Sequence, residues 1–81
     1  MLNLRNNNIG NEGIKYLSSS LENNKTITVL NLGYNKNIGA EGIKYLSSSL
    51  EKNNTITELN LYDTNIDDNL YKIDNLIIKK F

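Results

Sequence analysis

The side chains able to do chemistry in this chain are few and thinly supported. Two serine triplets, Ser18-Ser19-Ser20 and Ser47-Ser48-Ser49, carry hydroxyls; Asp67 and Asp68 pair two carboxylates; Arg5 is the single arginine. A serine becomes a nucleophile only beside a base, and the chain has no His and no Cys. A His-based dyad, a thiolate, a disulfide and a transition-metal site on those ligands are thereby excluded. Gly10-Asn11-Glu12-Gly13 offers glycines at a helix start, where anions bind. No Lys-Ser/Thr follows, and Glu12 and Glu41 put negative charge where a phosphate would sit. The two aspartates read better as helix-start residues than as acid and base. The expectation is a chain that is not an enzyme, with no cofactor and no metal.

Charge narrows the partners. Nine Lys and Arg balance nine Asp and Glu, and no block of one sign exceeds the terminal Lys79-Lys80. Nucleic acid and an anionic membrane are poor guesses. The chain opens in Met1-Leu2-Asn3-Leu4 with no basic-then-apolar leader and contains no apolar run long enough to cross a bilayer. A soluble, cytoplasmic (intracellular) chain is therefore expected. Asn24-Lys25-Thr26 and Asn53-Asn54-Thr55 match the N-glycosylation pattern, but they recur at one repeat position and read as turns.

The elements that must position these residues come from an internal duplication. Glu12-Gly13-Ile14-Lys15-Tyr16-Leu17-Ser18-Ser19-Ser20-Leu21-Glu22 returns at an offset of 29 as residues 41–51, and Thr26-Ile27-Thr28 returns as Thr55-Ile56-Thr57. A period of this size marks one supersecondary unit stacked on copies of itself. Asn makes up about a fifth of the chain, a bias that suggests low complexity in isolation, but here it falls at repeating positions.

Within each unit, Ile27-Thr28-Val29-Leu30-Asn31-Leu32, Ile56-Thr57-Glu58-Leu59-Asn60-Leu61 and the shorter Met1-Leu2-Asn3-Leu4 place Leu at every second position, the mark of a strand with one buried face. Ile14, Leu17 and Leu21, like Ile43, Leu46 and Leu50, follow at i, i+3 and i+7 and share one helix face. Strands joined through helices should lie parallel. Strands about 4.8 Å apart beside helices about 8 to 10 Å apart predict curvature with the strands on the concave side. The serines are small enough to let neighbouring helices approach, Tyr16 and Tyr45 are expected to pack between helices, and the repeat glycines to adopt conformations that resist a Cβ.

The pattern Ile27-x-x-Leu30-x-Leu32-x-x-Asn35, continuing through Ile38-Gly39-x-Glu41-Gly42 to Leu46 and Leu50, resembles the leucine-rich repeat, specifically its ribonuclease-inhibitor-like subclass of 28 to 29 residues. The resemblance implies an α/β solenoid, a right-handed β-α superhelix with helices on the convex side, as one domain or fragment over 1–81 with repeats at about 1–28, 29–57 and 58–81. It also implies a ladder in which the Asn35 amide bonds backbone groups of adjacent turns, with Asn7 and Thr64 at the equivalent places. Because the second repeat carries one extra residue, Asn35 or Asn37 is the inward one, and Asn35 is preferred.

The two ends differ from the middle. Leu2 and Leu4 begin a strand with no polar cover before it, as in a fragment or an internally started frame. Residues 67–81 read as a divergent last helix, with Leu70, Ile73 and Ile77 on the core face, Asp67 or Asp68 at its start, and Lys79 and Lys80 near its C-terminal dipole. Leu76, Ile78 and Phe81 are left over as apolar residues suited to contact with another segment or chain.

Function is then expected on the strand face, where side chains alternate with the buried leucines: Asn3 and Arg5; Val29, Asn31 and Gly33; Glu58, Asn60 and Tyr62; with Tyr34 and Asp63 at the rim. Tyr and Arg commonly anchor interfaces. The leading expectation is a noncatalytic module that binds a protein of unknown identity. The alternatives are a GTPase-activating-type regulator, because the Ran GTPase-activating protein resembles this repeat subclass and Arg5 would be the group involved, and a self-assembly element joined through open solenoid ends.

Overall fold

A computed structural model describes residues 1–64 and 77–79. Its elements run β1 (Leu2–Asn3), α1 (Asn11–Leu21), β2 (Val29–Asn31), α2 (Ala40–Lys52), β3 (Glu58–Asn60) and β4 (Ile77–Lys79). The strands form one parallel sheet in the order β1-β2-β3-β4. This is an α/β repeat fold.

The alternation of the strands and the helical spacing of the repeats meet in one core. Leu30, Leu32, Leu59 and Leu61 point to the same side as Ile14 and Leu21 of α1 and Ile43, Leu46 and Leu50 of α2, and all are buried together. Each such side chain contributes about 1.5–3 kcal/mol of burial. Register carries the leucines across the sheet, with Leu2 opposite Leu30 and Leu30 opposite Leu59. Pairing extends beyond the short strands, through Thr57 N to Thr28 O at 2.8 Å at one end and Tyr34 N to Tyr62 O at 2.7 Å at the other.

The C-terminal expectation needs correction. Ile77 and Lys79 do not continue a helix: Ile77–Lys79 is a fourth strand, with Ile78 in register with Leu59. Two adjacent β-branched residues favour the pleated form, and the free edge of β3 supplies backbone partners. The remainder of that expected helix, including Asp67, Asp68, Leu70 and Ile73, lies outside the described residues, as do Leu76, Lys80 and Phe81.

Three further expectations are revised by the packing. No glycine among the described residues has positive φ; Asn6, Asn8, Tyr34 and Asp63 take that conformation instead. The glycine at 42 answers to a close approach, since a Cβ there would lie 2.5 Å from Asn11 Oδ1. Tyr16 is 65% exposed, whereas Tyr45 packs on the core and lies beneath Lys15 of α1. Tyr45 faces the neighbouring helix of lower number, so the equivalent direction from Tyr16 leads away from α2. Of the serines, only Ser18, Ser47 and Ser49 are buried. The Ser18 hydroxyl finds no hydrogen-bond partner there, which fits a residue placed for its size.

Candidate protein-interaction face

Three asparagines tie the repeats together and so set the spacing of the face. Asn35 is fully buried. Its Oδ1 accepts from Asn7 N and Ile9 N, both at 2.9 Å, and its Nδ2 donates to Leu4 O at 3.0 Å, Leu32 O at 2.9 Å and Gly33 O at 3.2 Å. One amide thus satisfies backbone groups of two turns that burial would otherwise strand. Asn37 is exposed. Asn7 is exposed too, and its Nδ2 reaches only Arg5 O at 3.1 Å. Thr64 donates from Oγ1 to Leu61 O at 2.9 Å, a bond within its own repeat.

Sequence reasoning passed over two further ties. Asn53 is buried at the exit of α2, where Nδ2 donates to Leu21 O at 2.8 Å and Asn24 O at 3.0 Å while Oδ1 accepts from Thr55 N and Ile56 N. The available signal was the recurrence of Asn24 as Asn53 in the glycosylation-like turns. Asn11 opens α1 yet serves α2: its Oδ1 accepts from Gly39 N at 2.8 Å and Gly42 N at 2.9 Å, capping the neighbouring helix across the repeat boundary. Ala40 stands at the duplicated position, so no sequence repeat announces that role.

On the side of the sheet away from the helices, register brings Asn3, Asn31 and Asn60 into one row. Each uses Oδ1 to hold the backbone N–H two residues on, at Arg5, Gly33 and Tyr62, with distances of 2.9–3.1 Å. That bond fixes the amide and leaves its Nδ2 without an acceptor among the described residues. Val29 and Glu58 are opposite each other in the preceding row and half-buried. In the following row Arg5 is exposed and Tyr62 half-buried, but Gly33 is buried between them, so the expected contact role of Gly33 is corrected. A Cβ at Gly33 would come within 3.2 Å of Asn31 Oδ1 and 3.3 Å of Tyr62 O.

The rim is where the backbone departs from ordinary geometry. Asn6, Tyr34 and Asp63 follow the strands at equivalent places, with φ of 60°, 60° and 51°. Asn and Asp tolerate this region, whereas a tyrosine held there gives up about 1–2 kcal/mol. Tyr34 is 40% exposed; the Arg5 guanidinium sits over its ring, 4.4 Å from the centroid. Lys36 Nζ and Asp63 Oδ2 meet at 3.7 Å with both side chains largely in solvent. The structure therefore brings Arg5, Tyr34 and Asp63 to one rim and sets Asn3, Asn31, Asn60, Val29, Glu58 and Tyr62 on the adjoining strand face.

No group of His, Cys, Asp or Glu arranged to hold a metal ion occurs among the described residues, and no helix among them is long and apolar enough to cross a membrane. A leucine-rich repeat family model matches residues 2–18, 23–47 and 52–69. The chain belongs to the leucine-rich repeat family, whose repeats generally mediate protein–protein interaction and are generally not enzymes. A comparison with curated proteins returned no match.

Proposed function

We propose that this chain is a noncatalytic interaction module of the ribonuclease-inhibitor-like subclass, a short solenoid that binds an intracellular protein along the concave side formed by its strands. The observation that carries this reading is the amide row Asn3, Asn31 and Asn60, whose Oδ1 atoms are fixed internally and whose Nδ2 donors have no acceptor among the described residues. Pre-ordered donors lose little entropy when a partner engages them. Placing a photo-crosslinking amino acid at Asn31 or Val29 in the native cell is expected to trap one discrete protein, and placing it at the exposed Lys44 of α2 none. Equal trapping from Lys44 would sink the concave-face reading.

A second reading, self-assembly, draws support from the β1 edge. Asn7 repeats half of the Asn35 arrangement, but nothing described donates to its Oδ1. Asn24 accepts from Thr26 N and Ile27 N as Asn53 does from its own turn, but its Nδ2 has no acceptor among the described residues. These half-made bonds, beside a β1 edge that pairs with no further strand among the described residues, suit the turns of a second copy. Light scattering behind size exclusion should then show mass rising with concentration, and Asn7→Lys should suppress the rise. A constant monomer mass across the range would dispose of assembly.

A further inference from the structure

The turns between strands and helices enclose an open polar cleft of about 440 Å³, lined by Arg5, Asn6, Asn8, Tyr34, Lys36 and Asn37. Two cations from successive repeats stand on it. Arg5 has no carboxylate partner among the described residues, and Lys36 has only the solvent-exposed contact to Asp63 at 3.7 Å, which water and salt readily loosen. Tyr34 supplies the second, independent observation. It keeps an αL backbone that Asn6 and Asp63 occupy more easily in the flanking repeats, and its ring is the platform for Arg5. Backbone strain of this kind persists where the side chain so placed has a use.

We propose that this cleft receives a carboxylate from an acidic protein segment. The proposal rests on the interaction role above and names the chemistry of the partner. With its guanidinium face on the Tyr34 ring, Arg5 keeps its N–H groups for a bidentate bond to the carboxylate. Lys36 adds a second cation by exchanging Asp63 for the incoming group, and the amides of Asn6, Asn8 and Asn37 are further donors. Two cations against one acid match a short acidic segment. A polyanion such as nucleic acid demands a longer basic track, and the chain's balanced charge provides none.

The test is a titration of the isotopically labelled full chain, followed by backbone amide shifts, with a capped tetrapeptide of alternating aspartate and glutamate. Saturable shifts confined to residues 5–8 and 34–37 are expected, with none from capped tetraglutamine. Arg5→Gln and Lys36→Gln should each weaken binding roughly three- to tenfold, while Lys44→Gln, the same charge change on the exposed face of α2, leaves it unchanged. Tyr34→Asn should weaken the peptide while raising the thermal midpoint, because the ring is lost and the backbone relaxed; a tyrosine present only for stability would lower the midpoint. Equal weakening by Lys44→Gln, or the same shifts from inorganic phosphate at the same concentration, overturns the proposal. Absence of peptide binding overturns it as well, and if crosslinking from Asn31 still traps a protein, the interaction role survives without an acidic partner.

Discussion

Asn35→Ala is expected to lower stability by about 3–5 kcal/mol, since the substitution strands several part-buried or buried backbone groups, each worth about 1–3 kcal/mol when unsatisfied. The groups are the N–H of Asn7 and Ile9 and the carbonyls of Leu4, Leu32 and Gly33. They belong to two successive turns, so the loss uncouples repeats as well as loosening a loop. Urea denaturation followed by circular dichroism measures it. Asn35→Asp is the diagnostic companion: it retains the acceptor but aims a carboxylate at three carbonyl oxygens, so at neutral pH it should cost at least as much as alanine. Acidification should recover part of that loss, because a protonated carboxyl again donates. A deficit below about 1 kcal/mol for Asn35→Ala would mean that water replaces the amide and that the tie is dispensable.

The second large effect separates two glycines that the duplication makes equivalent. Gly42→Ala is expected to destabilise the chain by about 1–2 kcal/mol, because the cost of forcing an extra methyl into a close contact, up to about 3 kcal/mol, exceeds the gain of about 1 kcal/mol in helix propensity. The contact is with Asn11 Oδ1, which caps α2 through Gly39 N and Gly42 N. Retreat of Asn11 would leave those donors without their acceptor. Gly13→Ala meets only Ile9 Cγ2 at 3.1 Å, on an exposed stretch of α1. There the gain in helix propensity, about 1 kcal/mol, offsets the tight contact and the net effect should stay within about 1 kcal/mol of zero. Thermal melts of the two variants in parallel give the comparison. Equal midpoints would show that Asn11 shifts freely and does not hold α2 in place.

The repeat unit was legible because its signals are local and redundant. Leu30 and Leu32, with Leu59 and Leu61, state a period of two; Ile43, Leu46 and Leu50 state a helical face; an offset of 29 states that both are stacked. The core position of Asn35 was legible only through the resemblance to the leucine-rich repeat, which implies an inward amide there; the chemistry of the amide, donor and acceptor together, makes Asn apt for that place. The preference for Asn35 over Asn37 agrees with its burial. Asn11 was not legible as a tie, because Ala40 stands at its duplicated position and its targets lie in the next repeat. Asn53 recurs with Asn24, but its targets Leu21 O and Asn24 O belong to the preceding repeat and only the neighbouring backbone reveals them. The same limit explains Tyr16 and Tyr45, identical in sequence context: Lys15 of α1 lies over Tyr45, whereas Tyr16 is exposed.

Composition and periodicity by themselves determined the class of the fold, parallel strands alternating with helices around a leucine core, and removed the common catalytic groups by omitting His and Cys. Hydrophobic pattern suffices for this because burial is set by which positions are apolar. The tertiary structure alone decided that Ile77–Lys79 extends the sheet, that left-handed turns fall to Asn6, Tyr34 and Asp63, and that Arg5 lies on the ring of Tyr34 beside Lys36. The pairing of Ile77–Lys79 with Glu58–Asn60 joins residues 19 positions apart and the Arg5–Tyr34 contact joins residues 29 apart, separations at which packing decides and local preference does not.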